Sequence, residues 1–198
     1  MDVTGRLVLD TPESGLSSPW WPAANGSARI YAYTAGTGAA GDVTINAPEI
    51  YANFGGRIVS YTTADGNAGT VTINAQRVKL TGYSSIDSSS EGRGNAGNII
   101  LNIGESFEMS ERTPGAPYGP HGHLIEFNLQ PAIWRGGVAS RALGPGNAGS
   151  VYLSAPSILL DDARILISTF DTGHGGRAEI RADNLTLRNG AQIDAKST

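Results

Sequence analysis

The chain has 198 residues, of which 27 are glycine and none is cysteine, and its formal net charge at pH 7 is −4. The lack of cysteine excludes disulfides, thiolate metal sites and cysteine nucleophiles, and the lack of a basic cluster argues against nucleic acid as a partner. No window approaches the roughly 18 continuous apolar residues of a membrane-spanning helix, so we predict no transmembrane segment. Met1 is followed by residues without an apolar stretch, which predicts no signal peptide in this segment.

An internal repeat organises the sequence, and its clearest unit runs from Gly66 to Ser88. The unit opens with the corner Gly-Asn-Ala-Gly and continues with three short runs of alternating polarity. The second glycine of this corner, or its equivalent, recurs at Gly5, Gly41, Gly69, Gly97, Gly149 and Gly176. The intervals between these markers are 36, 28, 28, 52 and 27 residues, so the basic period is about 28 residues. The first and fourth repeats are longer.

Each repeat predicts three short strands with one buried face. The apolar residues of the first strand form the column Leu7, Val43, Val71, Ile99, Val151 and Ala178. The second strand gives Ile50, Val78, Phe107, Ile158 and Leu185, and the third gives Ile30, Ile58, Ile86, Val138, Ile165 and Ile193. Polar residues alternate with these columns, as expected of strands that bury one face and expose the other. The corner before the third strand carries residues that tolerate positive φ, among them Gly55-Gly56, Thr81-Gly82, Asp161-Asp162 and Asn189-Gly190.

Three strands and three corners in about 28 residues predict one turn of a parallel β-helix, because a lone triangle of strands buries nothing until another stacks on it. We therefore predict an all-β, single-stranded parallel β-helix (solenoid) of about six turns over residues 1–198. A β-sandwich is the alternative, but it would not require a constant period. Neither end carries a cap of different sequence, so we expect a segment of a longer solenoid. Self-association by end-to-end stacking is a further alternative.

Two insertions break the period, near residues 13–22 and 110–135, and both fall between the second and third strands of a repeat. We therefore expect both to leave the rod along one edge. They hold the candidate ligand-binding residues, which are Trp20, Trp21, Tyr118, Phe127 and Trp134. Exposed aromatic rings on loops bind sugars or proteins because they offer large contact area at little entropic cost. The alternative is that these rings pack against the flank of the rod.

The repeats resemble those of filamentous-haemagglutinin-type exoproteins, most of all the large cyanobacterial versions. The resemblance rests on Gly94–Asn102, Gly146–Leu153 and Asn184–Ala195, and it extends over residues 38–198. It implies a right-handed parallel β-helix and export by two-partner secretion, with an outer-membrane transporter as a partner of the parent protein. It also implies a secreted or outer-surface location in a Gram-negative-type bacterium and a role in adhesion.

Parallel β-helices also serve as polysaccharide lyases and glycosidases, so paired carboxylates were sought on the flank of the rod. Asp87 and Asp194 occupy outward positions of the third strand. We place them four turns apart, about 19 Å by rung spacing, which exceeds the roughly 5 to 9.5 Å of glycoside chemistry. Both are expected to be solvated, and the Asp161-Asp162 pair is expected to form a turn.

The histidines give no firm metal or catalytic prediction. His121 and His123 with Glu126 offer two imidazoles and a carboxylate, but no further ligand or supporting shell is evident. His174 replaces the corner asparagine of its repeat. The Gly-x-x-Gly corners are not phosphate loops, because each begins a strand and no helix follows. We predict no cofactor and no metal.

The sequence therefore predicts a non-catalytic, structural or adhesive segment of a large secreted or cell-surface exoprotein. Host or neighbouring-cell glycans or proteins are the expected partners, with specificity in the inserted loops. The alternative is a polysaccharide-cleaving enzyme, a lyase or glycosidase, on the same scaffold, since one fold hosts many functions.

Overall fold

The computed structural model describes residues 1–10, 28–110 and 137–197, and all the regular secondary structure in these ranges is β. The strands form two sheets. The first sheet contains β1 (Arg6–Asp10), β3 (Val43–Asn53), β5 (Val71–Thr81), β7 (Ile99–Ser110), β9 (Val151–Ser154), β10 (Ser157–Asp161), β12 (Ala178–Arg181) and β13 (Asn184–Arg188). The second contains β2 (Arg29–Thr34), β4 (Arg57–Thr62), β6 (Ser85–Ser90), β8 (Gly137–Ala142), β11 (Arg164–Thr169) and β14 (Gln192–Ser197). Among the described residues there is no helix long and apolar enough to span a bilayer.

Every strand pairs in parallel with its equivalent in the next turn, which confirms the predicted parallel β-helix. Val43 pairs with Val71 and Val71 with Ile99, so the period in these turns is 28 residues. The second sheet has six strands in the order β2, β4, β6, β8, β11, β14. In the first turn the first sheet holds β1 and a single bridge, so about five turns are complete.

The first and second predicted strands of a turn are continuous in three turns. They form the long strands β3, β5 and β7 and separate only in the last two turns, as β9 with β10 and β12 with β13. The register between β5 and β7 shifts at Ala75/Arg77, where β7 carries one extra residue. Gly104 lies at this bulge, where a Cβ would meet the amide oxygen of Gln76 at 2.2 Å. The three-strand prediction therefore holds as two flat faces and a bend.

The core lies inside the rod and consists of the predicted apolar columns. Its largest fully buried side chains, each under 2% exposed, include Phe107, Ile45, Ile73, Leu101, Leu153, Ile58, Ile86 and Ile158. Burying one such side chain contributes about 1.5–3 kcal/mol, so stacking of turns supplies the stabilisation that a single turn lacks. In the last rung the inward residues Leu185 and Leu187 remain 46% and 42% exposed.

The predicted alignment of the first repeat is wrong by seven residues. Leu7 pairs with Ile50 and not with Val43, so β1 is the second strand of its turn. The first strand of that turn is represented by the bridge between Asp2 and Asn46. The error arises because the same period-two alternation fits either strand of the first sheet.

Both long connections join the second strand of a turn to the third. Eighteen residues separate Asp10 from Arg29, whereas three separate their partners Asn53 and Arg57, so the first connection is 15 residues longer and not about eight. The connection between β7 and β8 is longer by 23 residues on the same comparison with β5 and β6, and the bulge in β7 supplies the twenty-fourth. The extra residues of both lie outside the described ranges.

The corner before the third strand uses positive φ, as predicted. Gly82, Asp162 and Asn189 have φ of 57°, 52° and 53°. Phe54 and Tyr83 also adopt positive φ, at 48° and 64°, which the sequence did not predict because bulky residues rarely do so.

Candidate functional site

The repeated Gly-Asn-Ala-Gly corner is a structural element. The amide of Asn95 donates a hydrogen bond of 2.8 Å to Oδ1 of Asn67 in the neighbouring turn. A Cβ on Gly94 would lie 1.9 Å from the carbonyl oxygen of Gly66, so only glycine allows the turns to stack this closely. Because these groups are used in stacking, the corner is not an anion site, in agreement with the sequence.

The carboxylates singled out as a catalytic pair are far apart and individually paired. Asp87 aligns through Ala139 and Leu166 with Asp194, so they lie three turns apart and not four, which is about 14 Å. Asp87 is 7% exposed and not solvated, and its Oδ2 lies 3.0 Å from Nη2 of Arg141. The structure therefore separates the two carboxylates and assigns Asp87 to a buried ion pair.

Ion pairs occupy other carboxylates on the first sheet as well. Glu49 accepts hydrogen bonds from Arg77 and from Arg6, and these bonds lower the pKa of Glu49, with that from Arg77 contributing most. Glu179 lies 2.8 Å from Arg177 and 2.6 Å from Arg181. A carboxylate held by two guanidinium groups stays ionised and makes a poor general acid.

The other residues considered for chemistry have structural positions or lie outside the described ranges. Asp161 accepts hydrogen bonds from Arg188 at 3.0 Å and from Asn189 at 2.5 Å, and Asp162 forms the predicted turn. The amide of His174 donates to Oδ1 of Asn147 at 2.7 Å, continuing the corner pattern. The candidate ligands His121, His123 and Glu126 lie outside the described residues, within which no group of three potential ligands could hold a metal ion.

Two shallow depressions lie on the outer side of the first sheet. One, of about 460 Å³, is lined by amide and backbone groups that include Asn74, Gln76 and Asn102. The other, of about 380 Å³, includes Tyr152 and Glu179 and holds the paired Arg181. Neither brings two unpaired carboxylates together, so neither resembles a glycosidase site.

The predicted ligand-binding residues of the insertions lie outside the described ranges. These residues are Trp20, Trp21, Tyr118, Phe127 and Trp134. The described chain resumes at Ala28 and at Gly137, each at the beginning of a strand of the second sheet. The edge from which both segments emanate is thus the starting edge of that sheet.

A row of tyrosines lies on the outer face of the second sheet in the first two turns. Tyr31 and Tyr33 are 48% and 50% exposed, with ring centroids 5.6 Å apart and planes inclined by 19°. Tyr33 also stacks on Tyr61 of the next turn, at 6.2 Å and 17°. The hydroxyl of Tyr33 lies 3.1 Å from Oγ1 of Thr63. The rings support one another and form a preorganised aromatic surface.

Two arginines flank this row at the starting edge of the sheet. Arg29 and Arg57 pair in register on neighbouring strands, so two like charges lie side by side, an arrangement that is unfavourable by itself. Within the described part of the chain Arg57 forms no ion pair, and its Nε is buried without a hydrogen-bond partner. We call the surface of Arg29, Tyr31, Tyr33, Arg57 and Tyr61 the tyrosine–arginine face.

The pKa values of this face reflect its partial burial. Burial lowers the pKa of Arg57, and the neighbouring Arg29 lowers it further. Burial raises the pKa of Tyr31, and burial followed by a hydrogen bond with Glu91 raises that of Tyr61. Both phenols therefore remain protonated at neutral pH and act as hydrogen-bond donors, not as bases.

The sequence contained the signal for this face, but carboxylates and insertion aromatics were examined instead. Alternation with the inward Ile30 and Ala32 places Arg29, Tyr31 and Tyr33 together on the outer side. Farther along the same face alternation misleads, because outward residues of β6 and β8 are buried. Only the structure distinguishes the exposed from the buried part.

The fold and this face together define the class: the chain is a parallel β-solenoid, with an exposed aromatic and basic surface on one of its two sheets. Comparisons of the chain with protein-family models, with curated proteins and with solved structures found no match.

Proposed function

We propose that this chain is a non-catalytic, adhesive segment of a large secreted or cell-surface exoprotein. The solenoid is the rigid support, and side chains on its outer surface contact the partner. One observation carries the proposal: the carboxylates considered for catalysis are held in ion pairs, while an aromatic and basic surface stands exposed. Such a surface supports recognition and lacks an acid–base pair.

The wider biological setting belongs to the same proposal. A filamentous-haemagglutinin-type parent, two-partner secretion through an outer-membrane transporter, and the outer surface of a Gram-negative-type bacterium are proposed from the resemblance of the repeats. The expected partners are glycans or proteins of a host or of neighbouring cells. These proposals stand apart from the solenoid architecture, which hosts many functions.

Catalysis on polysaccharides is the outcome that the experiment must exclude. The purified chain is incubated with neutral and acidic polysaccharides, and new reducing ends and unsaturated uronate ends are quantified. We expect no turnover above a heat-denatured control. Turnover that is abolished by Asp87→Asn or Glu179→Gln would replace the adhesive proposal with the alternative, a lyase or glycosidase. Arg177→Gln, which also disturbs the Glu179 pairs, serves as the matched control for indirect effects.

A further inference from the structure

We propose that the tyrosine–arginine face binds an anionic polysaccharide, with Arg57 as the group that contacts its carboxylate or sulfate. This deepens the proposed adhesive function and rests on it. Arg57 carries the argument, because it is partly buried, faces Arg29 in register and leaves its Nε without a partner. A planar guanidinium with an unsatisfied donor is suited to a carboxylate or sulfate, which it can bind through two parallel hydrogen bonds.

The charge of the site fits an anion better than a cation. The nearest carboxylate on the same sheet, Asp87, is already bound through Oδ2 to Arg141. An anion between Arg29 and Arg57 would relieve the repulsion of the two like charges on neighbouring strands. The chain as a whole has a net charge of −4, so this face is a local basic region on an acidic molecule and favours anions at one place.

The tyrosines determine the kind of anion. Tyr31, Tyr33 and Tyr61 stack with one another, and about half of the area of Tyr31 and Tyr33 stays open to solvent. Aromatic side chains present large, rigid contact area, while their hydroxyls supply hydrogen bonds. The row crosses two turns of the rod, about 4.8 Å apart, and so offers an extended surface in place of a closed pocket. A chain of hydroxylated, charged sugar rings matches this surface better than an isolated ion.

The experiment measures binding of the full chain by affinity electrophoresis. The gels contain polygalacturonate for the carboxylate arm, dextran sulfate for the sulfate arm, or neutral dextran. Anionic vesicles of phosphatidylserine and phosphatidylcholine provide a separate test of generic charge binding. We expect retardation in at least one anionic gel, none in neutral dextran, and weaker retardation as salt rises.

The variants are chosen in matched pairs. Arg57→Gln is expected to weaken binding by about 10- to 100-fold, since one charge-assisted contact is lost, and Arg57→Lys is expected to restore only part of it because the planar fork is missing. Tyr33→Ala removes both ring contacts, whereas Tyr33→Phe keeps them. Arg177→Gln is the control, because Arg177 lies over the ring of Tyr152 on the other sheet, 5.4 Å from its centroid.

The outcomes separate this inference from the proposed function. Arg57→Gln and Tyr33→Ala that bind like the unaltered chain, with thermal unfolding curves showing all proteins folded, overturn the inference. Absence of binding to both anionic polymers, or equal binding to vesicles that is insensitive to Tyr33→Ala, also overturns it. Binding of neutral dextran independent of Arg57 overturns the inference but leaves the adhesive proposal standing. Cleavage of a bound anionic polymer contradicts the adhesive proposal and leaves the binding site in place.

Discussion

Ser88 and Gly97, nine residues apart in the chain, meet across one corner of the rod, where the amide of Gly97 donates a hydrogen bond of 3.0 Å to Oγ of Ser88. The same hydroxyl donates to the carbonyl oxygen of Gly69 in the neighbouring turn at 2.7 Å. One buried side chain thus connects the backbones of two turns. The pattern recurs at Ser60 and Ser140, so small residues at this inward position serve hydrogen bonding as well as space.

The first prediction concerns this serine bridge. Ser88→Ala is expected to lower the free energy of unfolding by about 1–3 kcal/mol, because the buried amide of Gly97 loses its acceptor. Urea denaturation followed by circular dichroism measures the change. The matched control is Ser90→Ala in the same strand, whose buried Oγ has no hydrogen-bond partner, and we expect it to be neutral or stabilising. Equal losses in the two variants would show that the bridge contributes nothing specific.

The second prediction concerns the corner glycines. A Cβ on Gly94 would meet the carbonyl oxygen of Gly66 at 1.9 Å, whereas a Cβ on the equivalent Gly38 would have no atom within 4 Å. Gly94→Ala is therefore expected to destabilise the fold by at least about 1–3 kcal/mol through displaced backbone. Gly38→Ala is expected to be nearly neutral in the same thermal unfolding measurement. A Gly94→Ala protein that melts with the unaltered chain contradicts close stacking at this corner.

The third prediction concerns the buried pair of Asp87 and Arg141. Replacing either partner alone by alanine is expected to cost about 3–5 kcal/mol, because an uncompensated charge stays buried. A double-mutant cycle should give a coupling energy of about 0.5–3 kcal/mol. The control cycle uses Lys79 and Glu108, an exposed pair at 3.1 Å, for which we expect less than about 1 kcal/mol. Equal coupling in the two cycles would contradict the burial of the first pair.

The fourth prediction concerns the pH dependence of stability. The hydrogen bonds from Arg77 and Arg6 lower the folded-state pKa of Glu49 below its unfolded value, so its contribution is present above the unfolded pKa and is lost as pH falls through the folded pKa. Unfolding midpoints should therefore decline below the ordinary pKa range of glutamate. Glu49→Gln should make that decline shallower, and added salt should do likewise. An unchanged pH profile in this variant would argue against the network.

Most of the fold could be predicted, because each turn repeats the same inward chemistry. The columns that contain Ile45, Val78 and Ile86 are buried as expected, and the period specifies parallel stacking. Two points could not be read from alternation. Leu7 fits either strand of the first sheet, and its true partner depends on contacts with Ile50 in the next turn. Asp87 occupies an outward position but is buried, which depends on tertiary surroundings.

The candidate site was less accessible to sequence reasoning. The alternation that places Tyr31 and Tyr33 on the outer face is visible in the sequence, as is the alignment of Arg29 with Arg57. The significance of Arg57 is not visible, because an arginine on an exposed strand face is ordinarily solvated. Its partial burial and its unpaired Nε arise only once the rungs are stacked.

The most direct test of the account is whether the chain holds an acidic polysaccharide without cutting it. The full chain is mixed with polygalacturonate, the bound fraction is isolated, and the length of the recovered polymer is measured by size-exclusion chromatography with light scattering. The account predicts retention that depends on Arg57 and recovery of polymer at its original length. Progressive shortening of the polymer, abolished by substitution of a single carboxylate, would contradict it.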